Sequence, residues 1–84
     1  MKRKTFKIGE YAVGGIIQVC TTSDTINIDA LDWTTKEKIM GREFRVNMRD
    51  VDFDIIQYLN ELTSSYYADK VMDFIKENVK FINL

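Results

Sequence analysis

The sequence contains no histidine and only one cysteine, Cys20. Histidine and cysteine supply the usual general base, the thiol nucleophile and most zinc ligands, so their scarcity disfavours hydrolytic triads and zinc sites. A lone cysteine also forbids an intrachain disulfide. Cys20 lies in an alternating apolar and polar run, which is typical of a small, chemically inert hydrophobic residue. We therefore expect no enzyme, no bound metal and no cofactor.

The chain also lacks proline and any long apolar run. No linker or low-complexity segment divides it, so we expect one domain over residues 1–84. The absence of a signal-peptide pattern and the single cysteine predict a reducing, cytoplasmic location without membrane contact. A chain this short buries only about 60% of its unfolded surface, so we expect a homodimer to cover more. Aromatic residues of the second half of the chain suit the seam, that is, the interface of such a dimer, namely Tyr58, Tyr66, Tyr67 and Phe74.

The two parts of the chain differ in charge. Residues 1–49 carry nine Lys/Arg against six Asp/Glu, a net +3, whereas residues 50–84 carry three against seven, a net −4. Such a split is typical of a protein with one face for a polyanion and another turned away from it, and it also arises by chance.

Short runs of β-branched and aromatic residues predict a sheet over residues 4–48. The expected strands are residues 4–13, 16–21, 25–33 and 42–48, with Gly14-Gly15 and Ser23-Asp24 as turns and residues 34–41 as a polar connection. Alternation along these strands places Trp33 on the face away from the core. The core side is expected to carry Ile26, Ile28, Ala30, Phe44, Val46 and Met48.

From residue 50 to residue 80 the apolar residues recur at helical spacing, behind Asp50 and Asp52 as candidate caps. Thr63-Ser64-Ser65 either separates two helices, the second over residues 66–79, or kinks one long helix. The predicted fold class is α+β, a ββββα-like arrangement. In it, a four-stranded antiparallel meander is followed by one or two C-terminal helices packed on one sheet face. The other face stays open.

The segment DVDFDIIQYLNE has the carboxylate spacing of a calcium-binding loop. Ile55, however, occupies the position where that loop requires glycine for its sharp turn. Carboxylates at a helix start also complement the helix dipole, so we favour capping over calcium binding. Gly14-Gly15 is not followed by the helix that a phosphate-binding loop needs, and we interpret it as a hairpin turn.

Basic and aromatic side chains are interleaved on the expected open face. Single-stranded nucleic acids are bound in this way, because phosphates need cations and unpaired bases need flat surfaces. The expected nucleic-acid-binding residues are Lys7, Tyr11, Trp33, Lys36, Lys38, Arg42 and Arg45. Asp29 and Glu43 share this face and partly cancel its field. Trp33 is either a stacking platform or a packing anchor under a loop or in a dimer contact.

The order FKIGEY, hairpin, TINIDALDW, basic loop, GREFRV and helix resembles the positive-cofactor-four family of transcriptional coactivators, whirly-type binders of single-stranded DNA. The resemblance covers about residues 4 to 62. It implies a homodimer whose helices form the dimer core and whose sheets form a channel for unpaired DNA. From the residues we expect single-stranded DNA or RNA as the partner, with a role in transcription or replication. Trp33 would stack on bases. Lys7, Lys38, Arg42 and Arg45 would contact phosphates.

The tail ELTSSYYADKVMDFIKENV is similar to segments of uncharacterised small proteins from marine cyanobacterial phages. This likeness implies a setting in the cytoplasm of an infected bacterium. It also suits an alternative function, a protein–protein interaction module that docks on a host protein through the open face or the acidic helices.

Overall fold

A computed structural model describes residues 1–81 of the chain. Its elements are β1 (Lys2–Lys7), β2 (Gly15–Thr21), β3 (Thr25–Asp32), β4 (Lys38–Arg45), α1 (Val51–Leu62) and α2 (Ser65–Asn78). The strands form one antiparallel sheet in the order β1-β2-β3-β4. The predicted α+β class and the two-helix interpretation are confirmed. No helix within residues 1–81 is long and apolar enough to cross a membrane.

One face of the sheet and the inner faces of both helices form the core. Every second residue of the strands packs there against helix residues spaced three or four apart, so each element buries one apolar side. Ile17, Ile28 and Ile55 are fully buried in this cluster. Five of the six expected core residues are at most 4% exposed, as predicted, namely Ile26, Ile28, Ala30, Phe44 and Val46.

The ends of the outer strands differ from the prediction. β4 begins at Lys38 and ends at Arg45. Residues 38–41, expected in the connection, therefore belong to the strand, whereas residues 46–48, expected in the strand, do not. Met48 lies beyond this end, where its N–H donates to the carbonyl of Arg45 across a turn. Met48 is 59% exposed, so its assignment to the core was wrong. β1 ends at Lys7 because Gly9, with φ of +85°, turns the chain.

Thr63 ends α1 and fastens the β1–β2 turn to the helices. Its hydroxyl donates to the carbonyl of Tyr11 at 2.6 Å, and Val13 donates its N–H to the carbonyl of Leu62 at 2.8 Å. Thr63 itself is extended, with φ of −156° and ψ of −176°, and so does not continue the helix. The Thr-Ser-Ser interruption is therefore the point where the turn of residues 8–14 is attached to the helical layer.

Tyr58 belongs to the chain's own core. Its ring packs edge-on against Phe44 with centroids 5.8 Å apart, and the residue is 6% exposed. The expectation that Tyr58 contributes to a dimer seam is therefore wrong. Of the other aromatics named for that seam, Tyr66 is 64% exposed, whereas Tyr67 and Phe74 are partly buried.

Candidate nucleic-acid interface

No helix within residues 1–81 packs on the second face of the sheet, because both helices pack on the first. At one end of this face Ile16 is nevertheless only 1% exposed. Directly opposite residues of paired strands point to the same face, so the strand register defines this open face. Its cations are Arg3 and Lys7 on β1 and Lys38 and Arg45 on β4. Its carboxylates are Asp29 and Glu43. Four cations against two carboxylates leave the face net positive.

The structure brings three of the expected basic residues onto this face. Lys7 and Lys38 lie in one row across the sheet, opposite Ile16 and Leu31 of the central strands. A register shift between Ala30 and Leu31 aligns Lys38 with Leu31 and so turns it to the open side. Arg45 lies opposite Thr25 at the other end of the sheet.

Two expected residues are not on the open face. Tyr11 belongs to the β1–β2 turn and stacks on Tyr67 of α2, with ring centroids 6.1 Å apart. Arg42 lies opposite Ile28, on the helix side, with its guanidinium 4.6 Å from the ring centroid of Phe44. Tyr11 lies beyond the end of β1, so strand alternation does not apply to it. Arg42 is two residues before Phe44 on β4 and therefore shares its helix-facing side.

Trp33 lies at the end of the sheet, directly after β3. Its N–H donates to the carbonyl of Gly14 at 2.7 Å, one step beyond the β2–β3 ladder. A Cβ atom on Gly15 would lie 3.1 Å and 3.2 Å from Cβ and Cε3 of Trp33, so the indole packs tightly on glycine backbone. The residue is nevertheless 49% exposed. Trp33 is thus a partial packing anchor with a free aromatic surface.

The turn after Trp33 is held by Asp32. The carboxylate of Asp32 accepts hydrogen bonds from the N–H groups of Thr34 and Thr35, both at 2.8 Å, and these bonds lower its pKa. Lys36 follows with a left-handed φ of 65°. Its ammonium donates to the carbonyl of Trp33 and lies 5.6 Å from the indole centroid. This expected site residue is therefore adjacent to Trp33.

Beside Trp33 there is an open depression of about 380 Å³, which we call the Trp33 depression. It is lined by Gly9, Glu10, Ala12, Gly14, Gly15 and Trp33. The turn that forms its floor is braced internally, because Gly9 donates to the carbonyl of Gly15 at 2.8 Å and Ala12 donates to that of Gly9 at 3.1 Å. With Thr63 fixing the same turn, the shape of the depression is preformed.

Arg3 and Glu10 are further candidate site residues that reasoning from the sequence missed. A signal for Arg3 existed, since it lies four residues before Lys7 and therefore shares its side of a strand. Beginning the first strand at residue 4 concealed it. Glu10 has no such signal, because its place beside Trp33 depends on how three positive-φ glycines fold the turn.

Comparison of the chain with protein-family models, curated proteins and solved structures finds no match. The resemblances to the positive-cofactor-four family and to phage proteins therefore stay predictions. Within residues 1–81 there is no cluster of three or more His, Cys, Asp or Glu side chains that could hold a metal ion.

Proposed function

We propose that the protein is a non-enzymatic domain that binds single-stranded nucleic acid, DNA or RNA, on the open face of its sheet. The observation that carries the proposal is an uncovered face with cations on both outer strands and a half-exposed tryptophan at one end. Cations attract the phosphate backbone, and an exposed indole offers a stacking surface to any base.

The arrangement of the cations matches an extended strand. Neutral side chains of the two central strands, including Gln18, Cys20 and Asn27, lie between the basic residues of β1 and β4. The outer strands are about 14 Å apart at about 4.8 Å per strand spacing. From the row of Lys38 to that of Arg45 the sheet extends about 20 Å at about 3.3 Å per residue. A single strand of several nucleotides therefore fits, with phosphates near the edges and bases towards the middle.

Lys36 does not block stacking on Trp33. A cation–π contact at an exposed site contributes about 0.5 to 1 kcal/mol, whereas a base stacked on an aromatic side chain contributes about 1 to 3 kcal/mol. Stacking is the stronger of the two interactions, so an incoming base displaces the ammonium of Lys36 from the indole. The released ammonium is then free to contact a neighbouring phosphate.

The biological setting is part of the proposal. The family resemblance supports a role in transcription or replication, and the tail supports the cytoplasm of an infected bacterium.

Large apolar side chains on the helices support a homodimer. Phe53 is 59% exposed and Tyr66 is 64% exposed, and both lie on the helical layer, away from the open sheet face. Dimerisation through the helices would leave both sheets free to bind.

A second candidate function, protein binding, is favoured by the outer edge of β1. This strand is at the end of the sheet, and four of its six residues are basic, as the segment KRKTFK shows. Lysine on an edge strand repels a second basic strand and so prevents aggregation. The same charges attract an extended acidic peptide, which would add as a fifth strand through backbone hydrogen bonds.

A titration with a fluorescent oligonucleotide of about 12 residues tests the first proposal, since single-strand sites span about 4 to 16 nucleotides. We expect binding at micromolar protein, weaker binding at higher salt, and weaker binding to the matching duplex. An acidic peptide of equal charge serves as competitor. If the peptide binds and the oligonucleotide does not, the second candidate replaces the first.

A further inference from the structure

The Trp33 depression is lined by the indole of Trp33, by glycine backbone and by Glu10. Gly9, Gly14 and Gly15 have positive φ values of 85°, 71° and 100°, which brings backbone rather than side chains to its floor. Ligand pockets range from about 300 to 1,000 Å³. At about 380 Å³ the depression suits one small planar ring system resting against the indole.

Glu10 gives the depression its chemical selectivity. A carboxylate repels phosphates, so the position of Glu10 beside the proposed nucleic-acid contacts needs another explanation. The ion pair found within residues 1–81 joins Arg49 and Asp50, and Glu10 is exposed, so its oxygens are free to accept hydrogen bonds from a ligand. Carboxylates accept hydrogen bonds from the amino groups of bases.

The four bases differ in what they present to a carboxylate. Guanine presents two adjacent donors, the N1–H and the N2 amino group, which match the two carboxylate oxygens in a bidentate arrangement. Cytosine and adenine each present one amino group. Thymine presents an N3–H between two carbonyl oxygens, and these repel the carboxylate. The carboxylate therefore favours guanine most and thymine least.

We propose that the Trp33 depression binds one unpaired base, with the ring against Trp33 and the carboxylate of Glu10 selecting guanine over thymine. This inference rests on the proposed single-strand binding and adds base selection to it. The open sheet face then supplies affinity that is independent of sequence, and the depression supplies a preference at one position of the bound strand.

The test compares two oligonucleotides of about 12 residues, one of thymine only and one with a single central guanine. The readout is the ratio of their dissociation constants, because any general change in charge attraction cancels in the ratio. A bidentate contact of this kind discriminates between bases by about 5-fold or more. We expect the wild-type protein to bind the guanine-containing strand about 5-fold more tightly.

Glu10→Ala and Glu10→Gln should bring that ratio close to one while strengthening binding to both strands. Glu37→Ala is the matched control, since Glu37 is an exposed carboxylate of the β3–β4 turn outside the depression. It should strengthen binding to both strands and leave the ratio unchanged.

Equal binding of both strands by the wild type, or a preference that survives in both Glu10 variants, would overturn the base-selection inference and leave single-strand binding standing. If neither strand binds, the proposed function itself is wrong, and base selection is wrong with it.

Discussion

The hydroxyl of Tyr58 is buried without a hydrogen-bond partner among residues 1–81. Burial raises the pKa of this phenol, and the nearby carboxylates of Asp29 and Glu61 raise it further, while Arg42 lowers it. An unsatisfied buried polar group costs about 1 to 3 kcal/mol of stability. The core is therefore less stable at this position than an apolar ring would make it.

Replacing this hydroxyl tests that interpretation. Tyr58→Phe keeps the ring against Phe44 and should raise the free energy of unfolding at neutral pH by about 1 kcal/mol. The folded-state pKa of Tyr58 is raised, so ionisation of this phenol costs the wild-type protein no stability below about pH 10. The wild type then loses stability as the pH rises from about 10 through the folded-state pKa. Denaturant titrations should therefore show the variant's advantage growing above about pH 10. Tyr66→Phe, at an exposed position, should change neither quantity.

Trp33 is half packed and half exposed, so its truncation should affect both stability and binding. Trp33→Ala should cost less than the about 3 to 5 kcal/mol typical of a fully buried aromatic residue. It should also weaken binding to an unpaired oligonucleotide by about 1 to 3 kcal/mol. Trp33→Phe keeps a flat ring and should retain much of the affinity. A large stability loss with unchanged affinity would identify Trp33 as a packing anchor alone.

At the scale of elements, the junction between α1 and α2 is hydrogen-bonded to the turn that lines the candidate site. Thr63 is 9% exposed, and its hydroxyl donates to the carbonyl of Tyr11 in the turn that also forms the Trp33 depression. The junction therefore couples the helical layer to the shape of the candidate site.

Thr63→Val removes this donor at nearly constant volume. We expect a loss of about 1 kcal/mol in the free energy of unfolding, since a partly buried carbonyl loses its partner. Amide hydrogen exchange in residues 9–15 should also become faster. Thr34→Val, at an exposed turn position, is the control. Unchanged exchange in the Thr63 variant would show that the turn is held by its own hydrogen bonds.

The sequence patterns identified the elements better than their ends. Period two in residues 25–33 and period 3.6 after residue 50 predicted β3 and both helices, because each pattern reflects a single buried side. β4 was misplaced because Gly41 resembles a turn residue. It lies instead within the strand, where a Cβ atom would meet the carboxylate of Asp29, so the glycine makes room for a cross-strand neighbour.

The candidate site was less predictable than the fold. Lys7 and Arg45 follow from strand alternation alone, whereas Lys38 depends on a local register shift and Tyr11 on where β1 ends. A shift of one residue moves a side chain to the other face of a sheet. Small errors in strand ends therefore changed the membership of the site without changing the fold class.

For the whole molecule, the sheet half and the helical half of the chain differ in the sign of their net charge. The sheet half of the chain has a net charge of +3 and the helical half −4, so one layer attracts polyanions and the other repels them. This arrangement favours approach of a nucleic acid from the sheet side. A dimer joined through the helices would need apolar contacts to offset the repulsion between two acidic layers.

Light scattering should accordingly report twice the chain mass of 9.9 kDa, and more dimer at higher salt, because salt screens that repulsion. Phe53→Ser should shift the equilibrium towards monomer by removing an exposed apolar contact on α1. Ile39→Ser, at a similarly exposed position on β4, should leave the mass unchanged. A monomer at high protein concentration and high salt would refute the dimer.

Binding on the open face is tested most directly by one matched pair of variants. Arg45→Gln and Arg42→Gln remove the same charge from the same strand, but Arg45 lies on the open face and Arg42 on the helix side. The measurement is the salt dependence of affinity for a single-stranded oligonucleotide. Each lost phosphate contact should reduce the slope of log affinity against log salt by about 0.7. We expect this reduction for Arg45→Gln and an unchanged slope for Arg42→Gln. Equal changes in both variants, or a larger change for Arg42→Gln, would contradict binding on the open face.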